Sequence, residues 1–140
     1  MSGHEDVRCA LAAEFPGWLI KVIEDEVGVC WDASRVLTPG HGGATGLHSD
    51  NATLLRELLE EAGRCDARLA LRDLAARLRE RGITVHVYDT NLIITGEHER
   101  QITCKRGLFR WAMRGREIGP IGHLDGAVEH IAAVVAGSLP

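Results

Sequence analysis

The sequence lacks the residue spacings that usually mark a metal centre or a catalytic site. Its four cysteines, Cys9, Cys30, Cys65 and Cys104, are widely separated and form no C-x-x-C pair, so neither a zinc knuckle nor a redox centre is expected. No stretch matches the phosphate-loop pattern G-x-x-x-x-G-K-[ST] or the dinucleotide fingerprint G-x-G-x-x-G. The sequence therefore indicates no catalytic residues, no metal ligands and no cofactor, which favours a protein without catalytic activity but leaves an enzyme as an alternative.

Long apolar runs are also missing. The longest, "IAAVVA" at residues 131–136, is far shorter than the roughly 20 residues needed to cross a bilayer. The first ten residues, "MSGHEDVRCA", are charged and carry no apolar segment of the signal-peptide type. These features predict a cytoplasmic protein without membrane association, in which the thiols stay reduced.

The seven histidines were the remaining candidates for metal binding. His41 and His48 lie in a Gly-rich stretch and, with His4 or Cys30, offer the right ligand types for zinc. No H-x-x-x-H spacing supports such a site. The cysteines are equally poor nucleophile candidates, because Cys104 is predicted to point inward and no base can be named beside Cys30.

What the sequence does have is an uneven distribution of charge. Residues 1–66 carry five basic and twelve acidic side chains, a net charge of −7, whereas residues 67–140 carry eleven and eight, a net charge of +3. This polarity can steer a charged ligand, or attract the two halves to each other or to a second copy of the chain.

Apolar periodicity and glycine positions divide the chain into helices and strands. Helices are expected near residues 7–14, 51–62, 67–81 and 125–136, with Gly63 ending the second and Asp66 capping the third. Strands are expected at residues 18–24, 27–32, 83–89, 92–97, 101–105 and 108–117. The segment "RVLTPGHGGATGLHSD" is expected to be a loop.

These elements predict an α+β fold in which helices pack on an antiparallel sheet. Residues 1–65 would form an acidic αββα unit and residues 66–140 a basic αββββα unit, within one compact domain. "LAAEFPGWLIKVIED" aligns with "LAARLRERGITVHVYD", and "HSDNA" aligns with "HLDGA". The alignments indicate two tandem copies of a helix-hairpin-helix plan, arranged as an internal pseudo-dimer.

The stretch "CKRGLFRWAMRGREIG" mixes basic and aromatic residues, and strand alternation sorts them onto two faces. Phe109, Trp111 and Met113 are predicted to face the core. The opposite face is predicted to carry Lys105, Arg110, Arg114 and Arg116, together with His86 and Tyr88 from a neighbouring strand. Such a face suits an anion-binding or partner-binding surface. A nucleic-acid platform needs aromatic rings exposed beside the cations, and alternation separates the two.

Four short stretches also carry a family resemblance. "EFPGW", "QITC" with Trp111, "IGPIG" and "AVEHIAAVVAG" resemble segments of small uncharacterised proteins of high-GC actinobacteria, which are often encoded beside helix-turn-helix regulators. The resemblance covers about half of the chain and implies an association with regulation, without implying an activity.

Three hypotheses for function follow. The leading one is a non-catalytic binding or adaptor protein that acts through a protein partner or self-association. The first alternative is a nucleic-acid-binding protein that uses the arginine-rich sheet face. The second is a small-molecule-binding protein or enzyme with a cleft between the two units.

Overall fold

A computed structural model describes residues 3–37, 43–96 and 98–137. Within these residues the protein has an α+β fold with three helices and two antiparallel sheets. The chain divides into two compact units, Met1–Ala62 and Gly63–Pro140. Among the described residues, no helix combines the length and the apolar character that a membrane crossing requires.

The first unit contains a three-stranded sheet with the strand order β1-β2-β3. Its elements are α1 (Gly3–Glu14), β1 (Leu19–Glu24), β2 (Val29–Ser34), β3 (Gly46–Ser49) and the beginning of α2 (Ala52–Glu80). Inward side chains of the strands, including Ile20, Trp31 and Ala33, pack with Leu11 of α1 and with Leu55 and Leu59 of α2.

The second unit contains a five-stranded meander with the strand order β4-β5-β6-β7-β8. Its elements are the remainder of α2, β4 (Val85–Tyr88), β5 (Asn91–Ile94), β6 (Arg100–Lys105), β7 (Leu108–Trp111), β8 (Glu117–Pro120) and α3 (Leu124–Val135). Strand residues such as Ile102 and Phe109 pack with Leu74 and Leu78 of α2 and with Ile131 of α3. Because both helices contribute to the core on one side of the sheet, the other side is left open to the polar residues described below.

The two helices predicted on either side of Gly63 are a single helix, and the prediction of a break was wrong. Helix α2 is 29 residues long and passes through both Gly63 and Asp66, so Asp66 is not an N-cap. A glycine inside a helix costs only about 1 kcal/mol relative to alanine. Burial of Leu59 before it and Leu71 after it outweighs that cost.

The strand predictions were also wrong in two places. Part of the predicted loop forms β3, which pairs with β2 through Ala33 and Leu47. The strand predicted at residues 108–117 ends at Trp111, and the chain turns at residues 112–115 before β8 begins at Glu117. Arg114 and Gly115 have positive φ angles of 71° and 61°, which reverse the chain direction. The units are therefore αβββα and αβββββα, with α2 shared.

Candidate functional site

The outer face of the five-stranded sheet is built from residues that lie in register across the strands. One row runs Tyr88–Asn91–Thr103–Arg110–Glu117 and includes one residue from each strand. Alternation places these five side chains on the side opposite the core, since their neighbours Leu92, Ile102 and Phe109 are fully buried.

Two shorter rows flank this one. His86, Ile93 and Gln101 form one of them, and Lys105, Leu108 and Pro120 form the other. The Gln101 amide donates a hydrogen bond of 2.8 Å to Oδ1 of Asn91. The face is therefore mainly polar, with hydrogen-bonding groups at its centre and cations towards β6 and β7.

Four of the six predicted site residues lie on this face. Lys105, Arg110, His86 and Tyr88 are all exposed strand residues. Arg114 and Arg116 are exposed as predicted, but they are not strand residues facing outward from β7, and that part of the prediction was wrong. They belong to the connection between β7 and β8, where the Arg116 carbonyl accepts a hydrogen bond of 2.9 Å from the Trp111 amide.

The aromatic part of the stretch behaves as predicted at two positions and not at the third. Phe109 is completely buried, and Trp111 is half-buried against the same core. The Trp111 ring lies 6.4 Å from the His130 ring, and the Arg100 guanidinium lies 6.0 Å from it. Met113 is 83% exposed because the turn removes it from the strand, so its predicted burial was wrong.

Two sets of basic residues in the second unit differ in whether a carboxylate pairs with them. Arg68 and Arg77 form salt bridges of 3.0 Å with Asp89 and 2.6 Å with Asp125, and Arg81 pairs with Glu129. The second group, called here the cation group, consists of Lys105, Arg110, Arg114 and Arg116. Within the described part of the chain, none of its side chains makes a salt bridge or a side-chain hydrogen bond.

Two histidines considered as metal ligands are instead paired with carboxylates. Nδ1 of His48 lies 2.7 Å from Asp32, and Nδ1 of His4 lies 2.6 Å from Glu24. The ring of His4 also meets Trp31 edge to face, with the ring centroids 5.9 Å apart. No group of three metal-binding side chains occurs in the described residues, and His41 lies outside them.

The cysteines offer no nucleophile supported by its surroundings. Burial raises the pKa of the Cys104 thiol to about 11, and the negative charge of Asp66 adds to the rise. That thiol is therefore protonated at neutral pH, as expected for an inward-facing cysteine. Cys30 is exposed, and its sulfur lies 3.9 Å from the backbone oxygen of Trp31, which is not a base.

The surface near the end of α3 contains two depressions. One of about 490 Å³ is lined by Arg81, Ile83, Ala132, Val135 and Ala136. Its only charged lining residue is Arg81, which is already paired with Glu129. No protein-family model, curated protein or solved structure matches the chain. The functional inference therefore depends on the chemistry of its surfaces.

Sequence reasoning missed the neutral centre of the outer face. Asn91, Gln101 and Thr103 occupy it, and each lies next to a buried apolar residue in its strand. Alternation along β5 and β6 contains this signal.

Proposed function

We propose that this protein is a non-catalytic binding or adaptor protein that holds an acidic protein surface on the outer face of its five-stranded sheet. The observation that carries the proposal is the contrast between the two arginine groups. Carboxylates of the same unit neutralise Arg68, Arg77 and Arg81, whereas the cation group is exposed and without such partners among the described residues.

The chemistry of the face suits carboxylates. Arginine binds them through two parallel N–H donors, and charge-assisted hydrogen bonds are roughly twice as strong as neutral ones. Arg110 lies within the sheet, Arg114 and Arg116 extend from its rim, and Lys105 lies on the adjacent strand. His86 and Tyr88 add hydrogen-bonding groups on the far side of the same face.

Glu117 limits what the face accepts. It lies in register with Arg110, and opposite charges at directly paired strand positions attract each other. A partner carboxylate must therefore approach Arg110 from the side away from Glu117. The resemblance described above suggests a transcriptional regulator as the partner class.

The test replaces Arg110, Arg114 and Arg116 together with serine. Binding to a labelled glutamate-rich peptide, followed by fluorescence anisotropy, should weaken by about tenfold or more, because each charge-assisted bond contributes roughly 1.5–3 kcal/mol. A matched control replaces Arg72, Arg77 and Arg81 with serine, which changes the net charge equally. Equal loss of binding in both variants, or no loss in the first, would refute the proposal.

Nucleic-acid binding is the second candidate, and one observation favours it. Tyr88 is 74% exposed and lies in the same cross-strand row as Arg110, so one aromatic ring is available for a base. Single-stranded DNA should then bind with a steep dependence on salt. Tyr88→Ala should weaken DNA binding, whereas Tyr88→Phe, which keeps the aromatic ring, should retain it.

We also propose that the two units are tandem copies of one helix-hairpin-helix plan, forming an internal pseudo-dimer. Gly17 and Gly82 support this, because each has a positive φ, 97° and 79°, just before the first strand of its unit. The other alignment gives no support, since His48 lies in β3 and His123 is the N-cap of α3. Residues 63–140 expressed alone should retain cooperative unfolding, because they contain a complete core.

We place the protein in the cytoplasm. Cys9 and Cys30 are exposed free thiols, which are typical of proteins in reducing compartments. Targeting of a fluorescent fusion in the native host tests this assignment.

A further inference from the structure

Strand β6 begins with an arginine on the side of the sheet that faces the core. Arg100 pairs with Ile94 of β5. Alternation places it on the same side as Ile102 and Cys104, which are both buried. Arg100 itself is half-buried. An arginine is seldom placed on the core side of a sheet without an opposite charge to pair with it, so the surroundings of Arg100 are informative.

No carboxylate pairs with this guanidinium within the described residues. Arg100 makes no salt bridge or side-chain hydrogen bond there, in contrast to Arg77 and Arg81. The guanidinium instead lies 6.0 Å from the centroid of the Trp111 ring. A cation near an aromatic face at this distance is held weakly. The N–H groups of Arg100 are therefore left without a protein acceptor in the described chain.

The same arginine lines a depression of about 190 Å³. The other lining residues are Ile94, Thr95, Gly96, His98 and Val135. Ile94 is buried and Val135 of α3 is exposed, so together they form an apolar wall. His98 is exposed and makes no salt bridge within the described part of the chain. The depression thus combines an apolar wall with two basic side chains.

We propose that this depression binds a short-chain aliphatic carboxylate of about four carbons. The carboxylate accepts two parallel N–H bonds from Arg100, a geometry for which a guanidinium is well suited. An imidazole has at least one N–H donor in either protonation state, so His98 supplies a further bond at the entrance. The alkyl chain lies against Ile94 and Val135.

The end of α3 determines which way the ligand lies. Val135 is the last residue of that helix, and carbonyl groups at a helix C-terminus carry a partial negative charge. This end repels a carboxylate, whereas an alkyl group gains by covering the exposed Val135 side chain. The charged group therefore lies towards Arg100 and the chain towards α3.

The volume of the depression limits the size of the ligand. At about 30 Å³ for each group the size of a water molecule, 190 Å³ holds about six such groups, the number of non-hydrogen atoms in butyrate. A ligand this small has few contacts, so its dissociation constant should be on the order of 1 mM.

The experiment titrates butyrate into the isotope-labelled full-length chain and follows backbone amides by NMR. Saturable shifts are expected at residues 94–96, 98–100 and 135. Butyrate should bind about tenfold more tightly than acetate, because each buried methylene tightens binding by about threefold to fourfold. The absence of saturable shifts at these residues would overturn the proposal.

Two further probes separate the parts of the ligand. Inorganic phosphate carries the charge without an alkyl chain, and 1-butanol carries the chain without the charge. Both should bind more weakly than butyrate. If phosphate bound as tightly, the site would be a general anion site, and if 1-butanol did so, it would be an apolar hollow. Either result would refute the assignment to a carboxylate.

A substitution at Arg100 tests the charged end. Arg100→Gln removes the charge without breaking a salt bridge and should weaken butyrate binding by about tenfold or more. The matched control Arg72→Gln removes the same charge at an exposed position of α2 and should leave binding unchanged. Equal weakening in both variants would reduce the effect to net charge and contradict the site.

A substitution at Val135 tests the apolar end. Val135→Ser should reduce the preference for butyrate over acetate while leaving acetate binding unchanged. An unchanged preference would rule out the proposed orientation of the chain. Arg100 lies on the core side of the sheet and the cation group is intact in every variant. Failure of this proposal is therefore distinguishable from failure of the proposed acidic partner.

Discussion

The two sheets differ in which surface they present. The second sheet belongs to a core of fourteen buried residues and exposes a polar face. The first belongs to a core of six buried residues and has Leu19 and Ile23 exposed on β1. The outer face of the larger sheet is therefore mainly polar, whereas that of β1 in the smaller sheet includes exposed apolar side chains beside Lys21.

The difference has a physical origin in how each unit uses its apolar residues. Five strands with helices on one side bury nearly all of their inward side chains. In the first unit, the three-stranded sheet leaves Leu19 and Ile23 of β1 56% and 51% exposed. Three predictions test how separate the two units are, in order of decreasing effect.

The largest effect is expected in the second core. Phe109→Ala should destabilise that unit by about 3–5 kcal/mol, because Phe109 is completely buried and its removal leaves a cavity. Met113→Ala, at a position that is 83% exposed, should change stability by no more than about 0.5 kcal/mol. Denaturant unfolding monitored by hydrogen exchange measures both. If Phe109→Ala lowered the hydrogen-exchange protection of residues 3–37 as much as that of the second unit, the two units would unfold together.

A smaller effect is expected at high pH, again confined to the second unit. The Cys104 pKa is raised from 9.0 to about 11 in the folded protein, so the folded state holds its proton more tightly than the unfolded state. The resulting stabilisation is complete below pH 9 and is lost as the pH rises to about 11. The free energy of unfolding should fall over this range by at most about 3 kcal/mol. In Cys104→Ala this loss should disappear, as measured by unfolding at a series of pH values.

The pH comparison has an internal control. The first unit serves as that control, because Cys104 belongs to the core of the second unit. If hydrogen exchange showed equal destabilisation of both units in wild type, the loss would have to come from a group other than Cys104.

The smallest effect concerns the helix that contributes to both cores. Gly63→Ala should stabilise the protein by about 0.5–1 kcal/mol, because alanine favours the helical backbone at this position. Gly82→Ala should destabilise it, since Gly82 has a φ of 79° that alanine adopts poorly. An added Cβ meets no atom within 4 Å at either site. The difference in stability between the two variants therefore reports backbone conformation rather than steric clash. Destabilisation by Gly63→Ala would argue against a continuous α2.

Much of the candidate face followed from strand alternation alone. Alternation correctly predicted that Phe109 and Trp111 face the core, that Cys104 is buried, and that Tyr88 and Arg110 are exposed. It failed at Met113 because alternation holds only while the strand continues, and the turn after Trp111 interrupts it. Nothing local to "RWAMRG" distinguishes a long strand from two short ones, since pairing with β8 decides where β7 ends.

The sequence by itself determined the uneven charge and the inward-facing apolar residues, because these depend only on residue type and spacing. The tertiary structure decided that α2 continues through Gly63, that Arg77 finds Asp125 while the cation group finds no partner within the described chain, and that β1 lies at an edge. Those outcomes depend on contacts between residues far apart in the chain, where burial outweighs local preference.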